Sequence, residues 1–85
     1  MKDLRFSNTA LEQYQNWEKT NPKIFKKINT ILNSILQNPF HGIGKPEPLK
    51  GDLAGYWSRR INLEHRIVYS VTSDAIYIVA CRYHY

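Results

Sequence analysis

The apolar residues of this chain change their spacing partway along it, and that change restricts the folds it can adopt. Ile24, Ile28, Ile31, Leu32, Ile35 and Leu36 recur at helical intervals and form the stripe of an amphipathic helix. From Tyr56 onward the apolar residues gather instead in short runs. Tyr56 to Ile61, His65 to Val71 and Ala75 to Arg82 read as three strands. Asn62-Leu63-Glu64 and Thr72-Ser73-Asp74 are hairpin-length turns between them. A helix with one apolar stripe and a meander with one apolar face bury both surfaces by packing one on the other.

The N-terminal part supplies the remaining elements. Lys2 to Phe6 alternates, with Leu4 and Phe6 on one face, and predicts a short first strand. Ser7 or Thr9 then caps a helix, and Thr9-Ala10-Leu11-Glu12 has capping-box spacing. Ala10, Leu11, Tyr14 and Trp17 form its apolar face. Asn21-Pro22 restarts the chain as a cap residue followed by proline at the first helical position. Asn38-Pro39 ends the second helix, and the short connection predicts an antiparallel helical hairpin. His41 to Gly55, which holds all four glycines, is expected to be irregular. The order is β-α-α-β-β-β: an α+β chain, residues 1–85 as a single domain, with both helices on one face of a mostly antiparallel sheet.

Composition narrows the class. A hydrophobic content of 42% and an aromatic content of 13% suffice for one small core in 85 residues. The one cysteine, Cys81, sits in an apolar run, rules out an intramolecular disulfide, and fits a reducing, cytoplasmic compartment. Met1 to Phe6 holds no apolar stretch long enough for a signal peptide, and no segment has the length to span a membrane. The net charge of +5 points to a polyanionic partner, most often nucleic acid.

With both helices on one face, the other face of the sheet is left open. His65, Ile67, Tyr69 and Val71 share the more apolar side of the middle strand and are expected to meet the helices; Arg66, Val68 and Ser70 then stand on the open side. Unbroken alternation puts Ile78, Ala80, Arg82 and His84 on one face. A last strand that ties down Cys81 and Arg82 would hold His84 and Tyr85 at a fixed place. Glu47 lies between Pro46 and Pro48 in a stiff loop; Pro48 pushes Glu47 toward extended backbone and Pro46 does the same to Lys45. Tyr56 and Trp57 beside Arg59-Arg60 have the composition of a base-stacking, phosphate-holding segment, although strand aromatics more often belong to a core. Lys23, Lys26 and Lys27 read as the solvated face of the second helix, and His41 and His65 as weaker candidates, His65 as a structural histidine. Three scattered histidines and one cysteine have no metal-ligand spacing, so no metal and no other cofactor is expected, and no phosphate-cradling glycine loop is present.

A stiffly held carboxylate, an imidazole and an arginine on an open sheet face, in a basic chain, are the parts of a metal-free ribonuclease. Attack by RNA's own 2′-hydroxyl needs a base, an acid for the leaving 5′-oxygen and a cation for the charge on the phosphorane. Four segments carry a specific likeness: Gly44-Lys45-Pro46-Glu47-Pro48-Leu49-Lys50, Tyr56-Trp57-Ser58-Arg59-Arg60-Ile61, Glu64-His65-Arg66-Ile67-Val68-Tyr69 and Ala80-Cys81-Arg82-Tyr83-His84-Tyr85. Together they closely resemble the YoeB toxins of the wider RelE-like superfamily of bacterial toxin–antitoxin systems. The resemblance implies the RelE-like, microbial-ribonuclease-like fold and a ribosome-dependent endoribonuclease that cuts mRNA in the A site. It further implies Glu47 as general base, His84 as general acid, Arg66 as transition-state stabiliser and Tyr85 as a residue shaping the site. Lys45, Lys50, Arg59 and Arg60 are the expected RNA contacts. The implied partners are mRNA on the ribosome, a YefM-like antitoxin and a second copy of the chain. Two alternatives remain: a non-catalytic RNA- or ribosome-binding module, and a protein whose basic surface serves only to bind an acidic antitoxin and help repress its operon. Intact Glu47, Arg66, His84 and Tyr85 favour the catalytic reading.

Overall fold

The structure is a computed structural model and describes residues 2–82. Its elements run β1 (Asp3–Phe6), α1 (Asn8–Thr20), α2 (Pro22–Gln37), β2 (Glu47–Pro48), β3 (Trp57–Arg60), β4 (Arg66–Val71) and β5 (Ala75–Ala80), with a 3₁₀ turn at Gly51–Leu53. The strands form one five-stranded sheet in the order β1-β5-β4-β3-β2. β1 runs parallel to β5, and every other neighbouring pair is antiparallel. Both helices pack on one face of this mostly antiparallel sheet, as the sequence pattern predicts. The addition is β2, two residues from the stretch expected to be irregular.

The helix starts follow from side chains that replace missing backbone partners. Ser7 Oγ accepts the Ala10 N–H at 3.0 Å, so Ser7 is the cap of α1 and the Thr9–Glu12 box lies inside the helix. Asn21 Oδ1 accepts the Ile24 N–H at 3.3 Å, and Pro22 takes the first position of α2, where its missing N–H costs nothing. The core joins Ala10 and Trp17 of α1 and Ile28, Ile31, Leu32 and Ile35 of α2 to Ile67, Tyr69, Ile76 and Ile78 of the sheet. Each fully buried isoleucine contributes roughly 1.5–3 kcal/mol. Leu11, expected on the apolar face of α1, points outward instead and is 41% exposed.

The end of β5 departs from simple alternation. Tyr69 stands opposite Ile78 and Val68 opposite Ala80, which leaves Val79 unmatched in a β-bulge. Ile78 therefore belongs to the core beside the helices, while Ala80 shares the far face with Val68; the expected shared face of Ile78 and Ala80 is broken by this one residue. The strand also stops at Ala80, short of the expected Arg82. Beyond it α1 takes over. The Cys81 N–H donates to Gln13 Oε1 at 2.8 Å, and its carbonyl accepts the Trp17 Nε1–H at 2.9 Å. The Arg82 guanidinium carbon lies 5.6 Å from the centre of the Trp17 ring, in cation–π range.

Candidate active site

On the sheet face away from the helices, strand register arranges the polar side chains in rows. Arg60 and Arg66 stand directly opposite each other on β3 and β4. The next row reads Glu47, Ser58, Val68, Ala80 from β2 to β5. Glu47 and Arg66, far apart in sequence, meet here: Arg66 Nη1 is 3.7 Å from Glu47 Oε2, and it donates to Ser58 Oγ at 3.4 Å. The Glu47 side chain remains 58% exposed and that of Arg66 25% exposed. An ion pair so open to water is worth only about 0–1 kcal/mol, so stability does not explain it. Two arginines directly across a ladder repel one another. One carboxylate beside two guanidinium groups leaves a surplus of positive charge that an incoming phosphate would neutralise.

The loop that carries Glu47 is organised from beneath by Arg59. Its Nε–H donates to Tyr69 Oη at 3.2 Å, Nη1 donates to Ser34 Oγ at 2.7 Å and to the Ile43 carbonyl at 3.2 Å, and Nη2 donates to the Asn38 and His41 carbonyls at 2.6 and 3.1 Å. These bonds use every guanidinium N–H. Arg59 is wholly buried, on the helix side of β3, and its expected role as an RNA contact is corrected: alternation along β3 turns Arg60 outward and Arg59 inward. The Tyr69 hydroxyl donates onward to the Pro39 carbonyl at 2.7 Å. Burial raises the Tyr69 phenol above its ordinary range, partly opposed by the hydrogen bond and charge of Arg59.

From this base the chain climbs to β2. The Arg60 N–H donates to the Gly44 carbonyl at 2.6 Å, and a Cβ on Gly44 would lie 2.9 Å from the Arg60 carbonyl oxygen. Lys45 sits in the left-handed region at φ 52°, not in the extended backbone expected before Pro46. Glu47 is extended, as Pro48 requires, and pairs with Ser58. A non-glycine residue held at positive φ two residues before Glu47 is the kind of local strain that surrounding structure must maintain.

Several expected site residues sit elsewhere. Lys45 and Lys50 are exposed on either side of Glu47 along the loop. His65 is buried, edge-on to Trp17 with ring centres 4.8 Å apart, in the structural role expected of it. Lys23, Lys26 and Lys27 are on the exposed face of α2. His84 and Tyr85 lie outside the described residues. Ser58, which links Arg66 to the Glu47 row, was not among the sequence candidates; its only signal is alternation with Arg60. Among the described residues no three His, Cys, Asp or Glu side chains are grouped to hold a metal ion, and no helix is long and apolar enough to cross a membrane.

Comparison with known proteins gives consistent matches. The family model for YoeB-like toxins of bacterial type II toxin–antitoxin systems matches residues 6–85. Toxin YoeB of Escherichia coli K12 is 51% identical over 82 residues, covering 96% of this chain and 98% of the relative. A YoeB dimer from Staphylococcus aureus superposes with a TM-score of 0.92 at 49% identity, over 99% of this chain and 98% of that one. A YoeB–YefM complex from the same organism gives 0.90 at 50% identity, over 100% of this chain and 99% of that one.

Proposed function

The chain belongs to the YoeB-like toxins of bacterial type II toxin–antitoxin systems, and on that premise we propose that it is a metal-independent endoribonuclease that cuts mRNA in the ribosomal A site and so inhibits translation. The observation that carries the proposal is Glu47 against Arg66, with Arg60 across the ladder, on the sheet face away from the helices in a basic molecule. Glu47 takes the proton of the 2′-hydroxyl. The freed oxygen attacks the adjacent phosphorus, and Arg66, with Arg60 beside it, stabilises the added negative charge. His84 donates a proton to the departing 5′-oxygen. The products are a 2′,3′-cyclic phosphate on one fragment and a 5′-hydroxyl on the other. Tyr85 shapes the site, and Lys45, Lys50 and Arg60 hold the RNA backbone. Arg59 drops out of the contact set because it is buried.

The same reading gives the partners. A YefM-like antitoxin restrains the toxin, and the toxin associates with a second copy; the Staphylococcus aureus complex and dimer support both. Residues 1–85 act as one toxin domain in the cytoplasm, where ribosomes are. The test is to add the protein to programmed ribosomes and map mRNA ends by primer extension, with and without a chelator at a concentration that keeps ribosomes intact. Metal-independent cuts within the A-site codon, ending in a cyclic phosphate or 3′-phosphate, are the expected result. Loss of cleavage on chelation would overturn the mechanism.

A further inference from the structure

One row beyond Glu47 and Ser58, the same sheet face carries a second feature. Arg5, Tyr56, Ser70 and Tyr77 come from four different strands or strand ends and, with Ser7 and Val79, line an open groove of about 590 Å³. Arg5 stands opposite Tyr77, and Tyr77 opposite Ser70, so the groove runs across the sheet parallel to the row of Glu47, Ser58, Val68 and Ala80. Two residues along a strand separate the rows, about 6.6 Å. Tyr77 is 41% exposed, although β5 is flanked by a strand on each side. The bulge contributes the concavity: Val79 has no cross-strand partner, and its carbonyl accepts the Ser7 hydroxyl at 2.9 Å. A bulge bends and twists its strand. Among the described residues Arg5 is paired with Asp3 at 3.5 Å, an ion pair in which both side chains are largely exposed and which therefore yields readily to another anion.

These groups match a single-stranded nucleotide. A tyrosine ring stacks on any base, hydroxyls reach base edges or ribose, and a guanidinium takes a phosphate. We infer that the Arg5–Tyr56–Ser70–Tyr77 groove holds the nucleotide next to the scissile phosphate, with its base stacked on Tyr77. The inference rests on the reading of Glu47 and Arg66 as the cleavage site and extends it to a substrate subsite. The occupant is RNA because the groove lies one register row from Glu47 on the same sheet face and because its charged group is a cation in a molecule of net charge +5.

The test uses programmed ribosomes whose mRNA carries one abasic residue on either side of the cleaved linkage, and compares wild-type protein with Tyr77→Ala, Tyr77→Phe and Arg5→Ala at sub-saturating toxin. For the wild type, the abasic residue at one of the two positions should slow cleavage roughly ten- to a hundredfold, the scale of one lost base stack. Tyr77→Ala should slow cleavage of intact mRNA by a similar factor and be indifferent to the abasic residue there, while Tyr77→Phe keeps the wild-type response. Arg5→Ala should weaken cleavage of all mRNAs and flatten its salt dependence. Far-UV circular dichroism shows that each variant is folded. If the wild type cuts but Tyr77→Ala cuts as fast, or responds equally to the abasic residue, the groove is not a base site. If Tyr77→Ala loses only antitoxin binding, its occupant is the antitoxin and the inference is overturned. Wild-type protein that cuts no mRNA overturns the proposed function first and the subsite with it.

Discussion

Arg59 and Tyr69 meet inside the core, guanidinium to phenol, at 3.2 Å. The rest of the guanidinium is bound by a serine hydroxyl and three backbone carbonyls, so a full positive charge is buried with no carboxylate beside it among these partners. Such an arrangement ties the turn after α2 to the sheet and thereby sets the base of the Glu47 loop. Arg59→Ala strands several acceptors at once and should destabilise the protein by about 3–5 kcal/mol. Arg59→Lys should recover little of it, since an ammonium cannot span the planar fork. Urea denaturation measures both. If either variant unfolds at the wild-type midpoint while only RNA binding falls, the structural assignment of Arg59 is wrong.

Arg60→Ala should behave in the opposite way. Removing one of two opposed arginines relieves repulsion, so stability should hold or rise by about 0.2–1 kcal/mol. Cleavage on ribosomes should fall nonetheless. A drop in both stability and cleavage would contradict the reading of Arg60 as an outward RNA contact.

Glu47→Ala, Arg66→Ala and His84→Ala should each slow single-turnover cleavage by at least about a hundredfold, the usual scale for an acid–base or electrostatic group. For Glu47 and Arg66 the folding free energy should change by no more than about 1 kcal/mol, because their pair is open to water. A His84→Ala variant that cuts at the wild-type rate would remove that residue from the mechanism.

Cys81 provides a pH prediction. Burial pushes its thiol up to about 12 from an ordinary value of 9.0. Between those values the unfolded chain loses a proton that the native state keeps. The stabilisation is therefore complete below the lower value and is lost as the pH rises toward the upper one. Unfolding midpoints taken up an alkaline series should fall in wild type, and fall less in Cys81→Ala. A thiol reagent at neutral pH should modify Cys81 only at the rate of unfolding.

Much of this is legible in the sequence. The stripe from Ile24 to Leu36 and the two capping signals define α2, and the alternation of β4 correctly sends Ile67 and Tyr69 inward and Arg66 outward. β2 was not legible, because two residues that include a proline have no pattern of their own; the pairing is imposed by β3. Arg59 and Arg60 are chemically identical neighbours, and only strand parity separates the buried one from the exposed one. Reading that parity would have meant accepting a buried arginine, against the strong preference of that residue for the surface. The groove at Tyr77 was hidden for another reason: its members are scattered from residue 5 to residue 79, and only the register of four strands collects them.

The bulge at Val79 amounts to a phase shift. Up to Ile78 the even positions of β5 look toward the helices; beyond the bulge the odd position Cys81 does, and Ala80 looks away. Were Val79 instead paired opposite Val68 as a regular strand residue, the composition and every local propensity would be as they are, yet the residues after it would exchange their inward and outward sides. The thiol that now sits against α1 would turn to the opposite face, and Gln13 and Trp17 would lose the backbone groups they grip. One unpaired residue thus acts as a frame marker for the end of the last strand.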